Sequence, residues 1–172
     1  RMSSSRYPGK VLAPFRGEPL ILHMVERLKT HIESLPIVVA TSAHPTDNPL
    51  ATFLKERQVE VFRGPLKNVF LRFRLCAQEH PCEWILRLCA DSPLFDPDIV
   101  HAVLAHRGQK DLDLVTTTFP RTFPRGKNCE LIRVSRFLNI DVGKLSQDEC
   151  EHPTLYYYHH PDEFSIKNVP SP

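Results

Sequence analysis

At 172 residues and 19.8 kDa, the chain fits one ordinary domain with a sizeable core rather than two independent ones. Its 41% hydrophobic and 24% charged residues exclude a chiefly disordered or fibrous state, and a net charge of +2 is too small to mark a nucleic-acid binder. No apolar run approaches the roughly 18 residues that cross a bilayer and no signal peptide opens the sequence, so no membrane partner and a cytoplasmic location are expected.

Leu20, Ile21, Met24, Val25 and Leu28 recur at helical spacing behind Pro19, which predicts a helix over 19–29. A buried strand over 35–40 follows, then a short helical face of Leu50, Phe53 and Leu54 and a strand over 59–62. Val69, Phe73, Cys76 and Ala77 make the next helical face, and residues 84–89 the next strand. Asp96 and Pro97 then open a helix carrying Ile99, Ala102, Val103 and His106, and residues 112–118 read as a strand. Such alternation predicts an α/β fold, a doubly wound and mainly parallel sheet with helices on both faces. Beyond Thr118 the rhythm weakens, with strands expected over 129–134 and 164–169.

Ligands of such sheets bind outside the carboxyl ends of the strands. The segment from Arg1 to Lys10 combines three cations, three serines and Gly9 with no acid, which is phosphate chemistry; the bland reading of the same stretch is a solvated tail. Asp91 directly follows a buried strand, where a carboxylate can hold Mg2+ that also touches substrate phosphates, or simply form a turn before Ser92-Pro93. Arg121, Arg125 and Lys127, interleaved with Phe123, Pro124 and Gly126, read as a shaped anion-recognising loop. His152, His159 and His160 lack metal-ligand spacing, and Tyr156, Tyr157 and Tyr158 read as wall or core. The five cysteines, Cys76, Cys82, Cys89, Cys129 and Cys150, are odd in number and have no CxxC pair, so they read as reduced thiols, with Cys89 and Cys129 as small buried hydrophobes.

In order along the chain, RMSSSRYPGKVL, VVATS, VFRGPLKNVFLRF, RLCADSPLFDP and RTFPRG resemble the spore coat polysaccharide biosynthesis protein SpsF family. That family sits among the cytidylyltransferases, with the CMP-sialic acid and CMP-KDO synthetases. The resemblance implies a glycosyltransferase A type nucleotide-binding fold, Mg2+ as cofactor, and transfer of CMP from CTP to a sugar acid for surface polysaccharide. It assigns Arg1, Ser4, Ser5, Arg6 and Lys10 to the loop for the nucleotide and its triphosphate, and Ala40 and Thr41 to the nucleotide pocket. Asp91 matches the metal-binding Asp, with Arg6, Lys10 and Asp91 as the catalytic set. Arg63, with Gly64, matches the loop before the third helix, Arg121 and Arg125 a segment facing the sugar, and Glu151 and His152 a family Glu-His pair.

Asn68 and Asn128 stand where many relatives have Asp. The resemblance also implies a central first strand ahead of Arg1 and a further Asp-bearing segment after Pro172, so the chain is expected to be a truncated single domain. CTP and a sugar acid are the expected partners, with room for a homodimer. The rival readings are a glycosyltransferase of the same fold and a truncated nucleotide-binding module without turnover.

Overall fold

The computed structural model describes residues 1–3, 7–32 and 35–172. Helix α1 (Leu20–His31) opens directly behind Pro19 and buries Ile21, Met24 and Val25; the locked φ of proline suits that start. Helix α2 (Asn48–Glu56) buries Leu50, Ala51 and Leu54. Helix α3 (Val69–Glu79) is capped by Asn68, whose side-chain oxygen accepts from the Leu71 N–H at 2.7 Å. Helix α4 (Pro97–Leu104) takes Asp96 as its N-cap and Pro97 at its first position, as the sequence predicts.

Strands β1 (Pro14–Phe15) and β2 (Glu18–Pro19) form a small antiparallel ribbon. Strands β3 (Val38–Ser42) and β4 (Glu60–Gly64) pair in parallel. Strands β5 (Trp84–Arg87), β6 (Leu114–Thr116), β7 (Glu130–Arg133) and β8 (Ile166–Asn168) form a second sheet in the order β5-β7-β6-β8. There β7 runs antiparallel to β5 and β6, while β6 and β8 are parallel. The architecture is the expected α/β one, but the sheet is mixed. The reason lies between β6 and β7: a parallel neighbour needs a crossover element, and this connection holds no helix, so the chain returns beside β6 in the opposite sense.

Strand ends shift from their sequence positions because pairing, not composition, sets them. The register from Val38 opposite Glu60 to Ser42 opposite Gly64 moves the expected 35–40 strand toward its carboxyl end. Beyond β7 come three short helices, α5 (Val134–Asn139), α6 (Gln147–Glu151) and α7 (Leu155–His159), where the sequence predicts no helix and where α5 takes over Val134 from the end of the expected 129–134 strand. One signal was there: Ser146 and Glu149 form a capping box, the Ser146 N–H donating to Glu149 Oε2 at 2.8 Å. Tyr157 is fully buried among Phe70, Leu114, Ile132 and Phe137, so this part of the aromatic run is core.

Strand β3 is laddered to β4 alone and β5 to β7 alone, so among the described residues each carries one unpaired edge. Open edges template strand addition. The 172-residue chain is therefore expected to self-associate as its concentration rises, measured by light scattering across a dilution series. A monomer at every concentration would show that these edges are covered.

Candidate active site

The site is assembled at the carboxyl ends of β3, β4, β5 and β6. Its anchor is Asp47, fully buried in the turn after β3. Asp47 Oδ2 accepts from Thr41 Oγ1 at 2.7 Å, from the Ser42 N–H at 2.9 Å and from Ser42 Oγ at 2.6 Å. Asp47 Oδ1 accepts from the Met2 N–H at 2.8 Å, which ties the N-terminal loop to the end of β3. The loop closes on itself where the Gly9 N–H donates to the Met2 carbonyl at 2.9 Å. Gly9 has φ +75°, a left-handed conformation that side chains resist, so glycine is required there.

Burial pushes the Asp47 carboxyl up, but the Ser42 and Thr41 hydroxyls and the Met2 and Ser42 backbone N–H groups outweigh it and hold it at about 2. With the folded value depressed, this contribution to stability is full above about pH 4, the unfolded range, and is lost as pH falls through about 2. An acid-unfolding profile followed by circular dichroism should thus keep a step near that lower value that Asp47→Asn lacks. Identical profiles would contradict the clamp.

Lys10 and Asp91 form an ion pair across the site, bridging the N-terminal loop to the loop after β5. Burial raises the Asp91 carboxyl, and the Lys10 hydrogen bond and charge more than offset this and keep it below its ordinary range. The tight turn at Asp91 is made by backbone, the Ser92 N–H donating to the Cys89 carbonyl at 3.0 Å. Arg1 pairs with Glu151 and donates from Nη1 to the Leu66 carbonyl at 3.1 Å, joining the loop after β4 to α6. His152, beside Glu151, is exposed at the end of α6.

The other expected residues fall into different settings. Ser4, Ser5 and Arg6 lie outside the described residues. Ala40 is half-buried in β3, and the Thr41 hydroxyl beside it is committed to Asp47. The Arg63 guanidinium binds the loop after β3, donating to the Ser42 and His44 carbonyls at 3.0 and 3.1 Å and to Asn48 Oδ1 at 2.8 Å. Arg121 donates to Asn128 Oδ1 at 2.7 Å, and Arg125 is exposed. Lys127 reaches Asp96 Oδ2 at 3.0 Å and so ties the basic loop to the start of α4. Neither asparagine of the sequence reading is idle: Asn68 caps α3 and Asn128 holds Arg121.

Two features escape the sequence reading. Glu130, buried at the amino end of β7, pairs with half-buried Arg87 and accepts from Thr154 Oγ1 at 2.6 Å and Tyr158 OH at 2.9 Å. The second is Arg72 on α3, buried beneath the Arg1 loop contact. All five cysteines are free thiols; Cys129 is buried, while Cys89 is half-buried just beyond β5, and burial raises both thiols. Among the described residues, no three His, Cys, Asp or Glu side chains gather into a metal cage, and no helix is long and apolar enough to cross a membrane.

The chain is similar to known cytidylyltransferases. The chain is 28% identical over 177 residues to the spore coat polysaccharide biosynthesis protein SpsF of Bacillus subtilis, covering all of this chain and 72% of that protein. It is 33% identical over 108 residues to the 3-deoxy-manno-octulosonate cytidylyltransferase of Anaeromyxobacter sp. (strain K), covering 60% of this chain and 43% of that protein. A solved cytidylyltransferase from Leptospira borgpetersenii superposes with a TM-score of 0.91 at 29% identity over 99% of this chain and 72% of its own. The CMP:2-keto-3-deoxy-manno-octonic acid synthetase complexed with CTP shares the fold, with a TM-score of 0.73 at 18% identity over 99% of this chain and 86% of that one. Residues 1–170 match the cytidylyltransferase family, and the chain belongs to that family of nucleotidyltransferase enzymes.

Proposed function

We propose that this chain transfers CMP from CTP to a sugar acid, releasing pyrophosphate, for surface polysaccharide. The observation that carries the reading is the Lys10–Asp91 pair beyond the carboxyl end of β5, made from the N-terminal segment whose Met2 N–H is held by Asp47. A hydroxyl of the acceptor attacks the α-phosphorus of CTP and gives up its proton to water, and the bond from that phosphorus to the bridging oxygen breaks, with pyrophosphate as leaving group. No covalent enzyme intermediate is needed; positioning and charge neutralisation suffice. Lys10 and Arg1 supply cations to the phosphate tail, and Arg121 and Arg125 face the acceptor's negative charge.

Asp91 is the group that would hold Mg2+. Its carboxylate already accepts a cation, Lys10, and is 38% exposed, which suits a hard ion that takes one or two protein carboxylates and fills its remaining positions with phosphate oxygens and water. When bound, that ion would offset charge developing on the phosphates.

The test is pyrophosphate release from CTP across a panel of sugar acids; no release with any acceptor, with CTP still bound, would favour a binding module without turnover. Lys10→Ala is expected to weaken CTP binding by about 1.5–3 kcal/mol through loss of a charge-assisted contact. Calorimetry giving equal affinities would remove Lys10 from the site.

A further inference from the structure

Among the described residues Arg72 is the one buried arginine, and it lacks the carboxylate partner that the half-buried Arg87 has. Arg87 lies against the Glu130 carboxylate. Arg72 is 5% exposed yet makes no ion pair among the described residues; Nη1 donates to the Pro65 carbonyl at 2.7 Å and approaches the Leu66 carbonyl at 3.5 Å, while Nε is buried without a partner. The carboxylates whose charge reaches it, Asp47 and Glu151, are already taken, the first by Thr41, Ser42 and Met2 and the second by Arg1. A buried cation without a counter-ion is costly.

The cost is compounded by a second cation. Arg1 Nη1 donates to the same Leu66 carbonyl at 3.1 Å, so two guanidinium groups converge on one oxygen at the carboxyl end of β4. The backbone is shaped to allow it: a Cβ at Gly64 would stand 2.9 Å from Arg72 Cγ and 3.2 Å from its Cβ, so only glycine lets Arg72 lie this close to the strand. Two guanidinium groups packed together, one of them without a carboxylate of its own, can receive a shared oxyanion.

We propose that Arg72, with Arg1, forms an oxyanion subsite at the end of β4, a role for Arg72 that rests on the cytidylyltransferase reading and adds a residue to it. Its ligand is a phosphate or carboxylate oxygen pair, from the phosphate tail of CTP or from the carboxylate of the acceptor. A guanidinium can meet either in a two-pronged contact, which an ammonium cannot reproduce.

The experiment is steady-state pyrophosphate release by the wild type, Arg72→Met, Arg72→Lys and Gly64→Ala, varying CTP and acceptor separately, beside thermal melts. Arg72→Met is expected to raise KM for one substrate by about tenfold or more and leave the other's within about twofold. A rise for CTP identifies the phosphate tail, and a rise for the acceptor identifies its carboxylate. Arg72→Lys should recover only part of the loss. If Arg72→Met does not fold, Gly64→Ala, which displaces the guanidinium without removing it, is read by the same split. Unchanged KM for both substrates alongside a lowered melting temperature would overturn the proposal and leave Arg72 as a brace for the loop after β4. A wild type that neither binds CTP nor releases pyrophosphate would instead overturn the cytidylyl transfer reading itself.

Discussion

Asp91→Asn is expected to lower CTP-dependent pyrophosphate release by about a hundredfold or more while the protein stays folded. The two halves of that result come from separate features of the site. Asparagine has nearly the same shape but no charge, so it can neither pair with Lys10 nor offer an anionic oxygen to a hard cation. Stability should barely move, because the turn is held by the Ser92 N–H on the Cys89 carbonyl, and the Lys10–Asp91 pair is partly solvated. Exposed pairs of that kind are worth about 0–1 kcal/mol. The lowered Asp91 carboxyl is ionised throughout the neutral range, so the loss should be uniform with pH there. Turnover and melting temperature measured on the same preparation decide it, and a folded, fully active Asp91→Asn protein would reduce Asp91 to a turn residue.

Glu130→Ala is expected to have the largest effect on stability, about 3–5 kcal/mol, because it strands a buried cation. The Glu130 side chain is 5% exposed and that of Arg87 16%. Burial lowers Arg87, but the Glu130 charge and hydrogen bond more than restore it, so it stays protonated in the fold. The same carboxylate also receives Thr154, the N-cap of α7, and Tyr158 near its end, so removing it leaves two further hydroxyls without that partner. Urea unfolding should separate the charge from the space: Arg87→Met with Glu130→Leu should lose far less than Glu130→Ala, since an apolar pair strands no charge. If the double substitution costs as much as the single one, the pair is not the source of the stability.

Helices α1 to α4 were legible in the sequence because each depends on local rules: apolar residues at 3.6 spacing, Pro19 just ahead of α1, Pro97 in the first turn of α4 and Asp96 as its cap. The short helices α5 to α7 were not, since five or six residues carry too little periodicity and gain their stability from packing. The phosphate-type loop at Arg1 to Lys10 and the acid at Asp91 were readable as residue types beside strand ends. That Lys10 meets Asp91 depends on a contact spanning 81 residues, which no local pattern encodes.

Asp47, Glu130 and Arg72 make the same point more sharply. In the sequence Asp47 is one acid among Pro, Thr and Asn, an ordinary turn composition; only the return of Met2, 45 residues away, makes it a clamp. Glu130 reads as a polar residue at a strand start until Arg87, 43 residues distant, is laddered opposite it. Arg72 sits on α3, where nothing in the local pattern marks it for burial, and only the Cβ-free surface of Gly64 lets it sink. The chain by itself determined its alternation of strands and helices and the chemical character of its loops, because propensity and periodicity act over a few residues. The reversed β7, the buried ion pair and the grouping of Arg1, Arg72, Lys10 and Asp91 were decided only in the tertiary structure, because burial and electrostatic partnership are properties of space rather than of sequence neighbours.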